Sequence, residues 1–130
     1  MKYLCLIYHD EAMIDALPPV EYEALVSAVL DYREVLRQGG HYIDSSPLQN
    51  VDMATTVRVR NGKVQITDGP FAETKEQLGG FYLIDARDLN EAIRLASRMP
   101  PARLGSIEVR PVKVIEREQP ARNGARAIQC

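Results

Sequence analysis

Residues 78–86 read LGGFYLIDA, and how this stretch is covered decides the fold. From Phe81 to Ile84 no charged residue interrupts the apolar run, so an extended chain here asks for cover on both faces. A helix follows. Asp88 with Glu91 three residues on is an N-terminal capping pattern, and Leu89, Ala92, Ile93, Ala96 and Met99 recur at the spacing of a buried helical stripe. Pro100 and Pro101 stop that helix, and Ile107 and Val109 alternate with Glu108 and Arg110 in a closing strand before Pro111.

Upstream the same order appears. Lys2 to Tyr8 (KYLCLIY) is apolar and aromatic almost without a break, as in a strand covered on both faces. Pro18 and Pro19 open a helix in which Tyr22, Leu25, Val26, Val29, Tyr32, Arg33 and Leu36 share one face, the arginine burying its stem. Glu23, Ser27, Asp31 and Glu34 fall opposite, Gly39 and Gly40 end the helix, and His41 to Ser46 is a short second strand. Between Ala54 and Asp68, TTVRVR and KVQIT flank Asn61-Gly62, the strongest short hairpin signal. A two-residue turn pairs Val57 with Ile66 and Val59 with Val64, placing all four aliphatics on one face and Arg58 with Gln65 on the other.

The expected fold is therefore α+β, a ferredoxin-like split βαβ sandwich with an inserted β-hairpin. Two helices cover one face of such a sheet, while the strands at Leu4 to Tyr8 and Phe81 to Ile84 are apolar on both. A second copy of the chain is the economical cover, so a homodimer is expected. One domain over residues 1–115 and a polar tail over 116–130, read as mobile, account for the 130 residues.

Composition narrows the function classes. A formal charge of −2, with lysine and arginine scattered among acids, leaves no footprint for nucleic acid. The apolar start is too short for a signal peptide or a membrane span, which points to a cytoplasmic protein without membrane contact. Cys5 sits in an apolar run and Cys130 is the last residue, which is neither a disulfide framework nor a metal spacing. No metal is expected.

Asp68-Gly69-Pro70-Phe71-Ala72-Glu73-Thr74-Lys75-Glu76-Gln77-Leu78-Gly79-Gly80-Phe81-Tyr82 resembles the DGPF subgroup of the YCII-related proteins. The likeness extends over KYLCLIYHDE, TTVRVRNGK and SIEVRPV, nearly all of the chain from Met1 to Val114. It implies a dimeric α+β barrel assembly and a family whose members are mostly of unknown function, often encoded beside extracytoplasmic-function sigma factors. In the broader family a His–Asp dyad is proposed to be catalytic, the histidine on the first helix and the aspartate just after the second, and a dehydrochlorinase of a halogenated aromatic belongs to it. This chain departs there: Val20 to Gln38 holds no histidine, and Met99-Pro100 stand where the aspartate is expected. That mechanism does not transfer.

The loop from Asp68 to Gln77 gathers Asp68, Glu73, Lys75 and Glu76 around Phe71, and loops on rigid scaffolds often carry function. If the loop does chemistry, Asp68 or Glu73 is the acid or base, its pKa raised by burial beside Phe71, with Lys75 pairing it or an anionic substrate. The structural reading has Asp68 capping a turn, Gly69 supplying positive φ, Pro70 fixing the chain and Phe71 plugging the core or an interface. His9 and His41 are weaker general-base candidates, better explained as solvated surface histidines. Gly79-Gly80 marks a bulge or a close approach by a ligand or partner, and the hydroxyls of Tyr3, Tyr8 and Tyr82 could serve a pocket. Two functions remain: a small organic ligand turned over by cofactor-independent isomerisation, elimination or lyase chemistry, or a non-catalytic sensing module tied to a sigma factor by family resemblance. A charged group lining a closed pocket would favour the first, an open acidic loop the second.

Overall fold

The chain runs β1 (Lys2–His9), α1 (Glu11–Asp15), α2 (Pro19–Gln38), β2 (Tyr42–Pro47), β3 (Thr55–Arg60), β4 (Lys63–Asp68), β5 (Gln77–Asp85), α3 (Leu89–Ser97) and β6 (Ser106–Pro111). This computed structural model describes residues 1–116; the expected mobile tail lies outside the described residues from 117 onward. Four strands form one antiparallel sheet in the order β2-β5-β1-β6, and β3 with β4 forms a separate two-stranded sheet. The crossover through α2 joins β1 to β2 with β5 between them, and that through α3 joins β5 to β6 with β1 between them. Each βαβ unit is thus split by a strand of the other.

Alternation along the two central strands separates the faces. Tyr3, Cys5 and Ile7 of β1 and Tyr82 and Ile84 of β5 are buried beneath Tyr32 and Leu36 of α2 and Ala92, Ala96 and Met99 at α3. Fully burying a side chain such as Leu36 or Ile84 contributes about 1.5–3 kcal/mol. Their neighbours Leu4, Leu6, Phe81 and Leu83 occupy the opposite face, paired Leu4 with Leu83 and Leu6 with Phe81, and remain partly exposed. Asp88 caps α3 by accepting the Glu91 N–H at 2.9 Å, while Glu91 Oε1 accepts the Arg87 N–H at 2.8 Å. Tyr32 of α2 donates its hydroxyl to the Leu95 carbonyl at 2.7 Å, tying the two helices together.

The hairpin has the register that Asn61-Gly62 dictates, Val57 opposite Ile66 and Val59 opposite Val64. Both turn residues have positive φ, 52° at Asn61 and 75° at Gly62, as a type I′ turn requires. At its base the Gly69 N–H donates to the Ala54 carbonyl at 2.8 Å, and the Thr56 hydroxyl donates to the Gly69 carbonyl at 2.9 Å. Gly69 holds φ 105°, so the bland part of the loop reading stands at that residue.

Two expectations need correction, and one element was not expected. Phe71 does not plug the core of the subunit: its ring is 78% exposed, with the Arg58 guanidinium 5.4 Å from its centroid. The loop leaves the hairpin on the Arg58 side, where no apolar layer receives the ring. The α3 stripe is narrower than its periodicity implies. Ala92, Ala96 and Met99 are buried, whereas Leu89 and Ile93 are exposed, because one short helix meets the sheet along a single line. Finally, α1 was not foreseen. Asp10 Oδ1 accepts the Ala12 N–H at 3.0 Å and so caps a helix of five residues, too short to show a period.

Candidate functional site

The apolar face of α2 is longer than the core it covers. Tyr32 and Leu36 in its second half are buried, but Tyr22, Leu25, Val26, Val29, Leu30 and Arg33, spaced at three and four residues, roof a cavity of ≈ 450 Å³. Ile7, Gly80 and Tyr82 of the sheet line it from below, and His9, Ile14 and Asp15 line it where β1 runs into α1. A site of this size suits a single-ring organic molecule.

The wall at the α1 end is stitched from three segments. The Glu11 N–H donates to Gln77 Oε1 at 3.0 Å, Glu11 Oε2 accepts the Val51 N–H at 2.9 Å, and Asp15 Oδ2 accepts from Asn50 Nδ2 at 3.0 Å. The Leu48 N–H donates to the Gly79 carbonyl at 2.8 Å, fixing the segment after β2 against β5. These bonds explain why a loop without periodicity forms part of a built cavity.

Gly79 is the bulged residue of β5: Ile7 pairs with Gly80 and Tyr8 with Leu78, leaving Gly79 between them unmatched. A Cβ there would meet the His9 ring at 2.1 Å, so the imidazole rests on bare backbone. At Gly80 a Cβ would approach the Ser46 carbonyl oxygen at 2.9 Å, so this glycine admits the edge strand β2. The close approach expected at Gly79-Gly80 is therefore made by His9 and by β2.

Of the five acid–base candidates, His9 lines the cavity. Asp68, Glu73 and Lys75 are exposed and do not line it, and the burial expected beside Phe71 is absent in the subunit. His41 lies at the end of α2, where its Nδ1 is 2.8 Å from the Asp85 carbonyl oxygen and its ring packs on Gly39. That placement is structural. Neither histidine is simply solvated.

Two further residues emerge from the geometry. Tyr82 is 3% exposed, lines the cavity, and carries the one buried side-chain polar atom without a hydrogen-bond partner among the described residues, its hydroxyl oxygen. Burial pushes that hydroxyl's pKa up, and the Arg33 guanidinium works against the shift. Arg33 lines the same cavity and has no carboxylate partner among the described residues. In sequence Arg33 passes as a snorkelling core neighbour and Tyr82 as core. Only the unfilled space between them marks them as site residues. Among the described residues no group of three or more His, Cys, Asp or Glu side chains is placed to hold a metal, and no helix is long and apolar enough to cross a membrane.

Fold and cavity together define a small α+β protein with a half-open, mostly apolar chamber between helix and antiparallel sheet. The chain belongs to the YCII-related domain family, whose model matches residues 1–116. An uncharacterised protein of Rhizobium meliloti (strain 1021) is 38% identical over 114 residues, 86% of this chain and 92% of that one. Among solved structures, 5-chloro-2-hydroxyhydroquinone dehydrochlorinase from Burkholderia phenoliruptrix AC1100, in complex with 2,5-dihydroxybenzoquinone, superposes with a TM-score of 0.52. That likeness covers 87% of this chain and 94% of the dehydrochlorinase at 16% identity, and it is one of fold. The position after α3 is taken by packing: Met99 is fully buried and Pro100 is buried beside it.

Proposed function

We propose that the protein binds a small organic molecule in the chamber beneath α2 and acts on it by cofactor-independent acid–base chemistry of the elimination or isomerisation type. The observation that carries this reading is the cavity of ≈ 450 Å³ itself, lined by His9 and Arg33, with the buried and unpartnered Tyr82 hydroxyl in its wall. Leaving such a group unpaired costs about 1–3 kcal/mol, and a ligand oxygen or nitrogen would remove that cost. His9 is the proton-transfer group in this proposal, since it lines the cavity and an imidazole can both accept and donate a proton. In an elimination it removes a proton from the substrate while the leaving group departs with its bonding electrons. The dehydrochlorinase of similar fold lends support as an analogy only. The sigma-factor alternative draws nothing from these residues.

The same proposal includes a homodimer. Its support is the count of faces: both helices of the split units pack on one side of the sheet, and Leu4, Leu6, Phe81 and Leu83 lie on the other.

A thermal-shift screen of small hydroxylated aromatics, 2,5-dihydroxybenzoquinone included, tests the binding step. A true ligand at a hundred times its Kd should stabilise by about 2.7 kcal/mol. Val29→Phe, which fills the roof, should abolish the shift, while Asp68→Asn should leave it intact. A shift that survives Val29→Phe and vanishes with Asp68→Asn would move the site to the loop. For turnover, His9→Gln should retain binding and lose the reaction.

A further inference from the structure

Among the described residues, the guanidinium that lines the chamber has no carboxylate within ion-pair distance. The roof carries Arg33, and the positions one turn away on α2 are Val29, Leu30, Leu36 and Arg37, none of them acidic. Glu34, the acid next along the chain, is bound by Arg37. Across the space the one lining carboxylate is Asp15, which Asn50 holds at the α1 end. Arg33 is half-buried, and a guanidinium held partly out of water without a counter-ion gains by meeting an anion. Tyr82 lines the chamber too, and its orphaned hydroxyl is sealed in the free protein, so a ligand reaches it by parting the lining.

We propose that this end of the chamber is an anion subsite, and that the ligand is a small aromatic carboxylate whose oxygens are held by Arg33 and Tyr82. This rests on the small-molecule reading above and adds the chemical class. The planar guanidinium offers two parallel N–H donors that match the two oxygens of a carboxylate, and the phenol supplies another donor at the same end. Ile7, Leu25, Val26 and Val29 then accept the ring. Along the sheet the site has a direction. Tyr82 pairs with Cys5, and His9 lies four residues further along β1, about 13 Å at the rise of a strand. The carboxylate is anchored at one end and the ring extends toward the imidazole at the other.

Titration calorimetry with benzoate, 4-hydroxybenzoate and the neutral isostere benzamide tests the assignment on the full chain. The carboxylates should bind at least tenfold more tightly than benzamide. Arg33→Gln should erase that preference while leaving benzamide binding unchanged. Tyr82→Phe should weaken the carboxylates with no loss of melting temperature in the free protein, since it removes a polar atom that has no partner. Equal binding of benzoate and benzamide to the wild type overturns the anion subsite but leaves the small-molecule reading standing. Binding of neither, with the chamber confirmed apolar by binding of toluene, also overturns the subsite. Failure of all of them, toluene included, overturns both. A fall in the free protein's melting temperature with Tyr82→Phe would show the hydroxyl to be structural and remove it from the subsite.

Discussion

The imidazole of His9 lies so close to the backbone of Gly79 that a methyl group added to that glycine would sit 2.1 Å from His9 Cε1. Overpacking of this kind typically costs about 1–3 kcal/mol when the structure must shift. Gly79→Ala should therefore keep the fold, lower stability within that range, and swing the His9 ring away from the chamber. The His9 ring signals in an NMR spectrum report the displacement directly. Unmoved signals together with unchanged stability would contradict the contact.

The two faces of β1 give two neighbouring charge substitutions different outcomes. Ile7 faces the helices and is buried, so Ile7→Glu should prevent folding. Leu6 lies on the open face opposite Phe81, so Leu6→Glu should spare the fold and weaken association, making stability depend on protein concentration. Sedimentation of the wild type at micromolar and higher concentrations decides the premise. A soluble wild-type monomer throughout would end the argument from the open face.

Phe71→Ala should cost under about 1 kcal/mol in urea denaturation, as expected of an exposed ring whose packing partner is one guanidinium. A loss of about 3–5 kcal/mol would mean that the ring is buried in the assembled protein by another subunit.

Burial raises the Cys5 thiol from its ordinary value of 9.0 to about 11. The folded chain thus holds this proton more tightly than the unfolded chain does. The linked stability is whole below pH 9 and drains away as the pH rises through about 11. In a Cys130→Ser background, a thiol reagent at pH 8 should leave Cys5 untouched until denaturant is added. Prompt modification of the folded protein would contradict its burial.

Sequence carried the framework because the framework is periodic. The Asn61-Gly62 turn, the capping pair Asp88 and Glu91, and the apolar alternation of Tyr3, Cys5 and Ile7 each express a local rule that the fold obeys. The site was less legible for a physical reason. Residues 22 to 33 of α2 show the pattern of a helix pressed on a core, and periodicity does not distinguish a face that meets side chains from one that meets empty space. Arg33 and Tyr82 looked like packing for that reason. His9 was considered, but its resting place depends on a bulge at Gly79 that only the strand register reveals. The loop from Asp68 to Gln77 drew attention through its charges, of which Asp68, Glu73 and Lys75 lie in solvent.

The clasp between Gly69 and Ala54 has a kinetic meaning. Before β2 can find β5, the chain must close the long excursion between Pro47 and Gln77, and the hairpin occupies the middle of it. An Asn-Gly hairpin forms from neighbours in sequence, within about 1–10 μs. Once zipped, it shortens the remaining gap by roughly half, a saving on the order of 0.6 kcal/mol in closure entropy. The arm that pairs with no other strand thus acts as a splint, set early, that brings an edge strand within reach of the sheet and lets the floor of the chamber assemble.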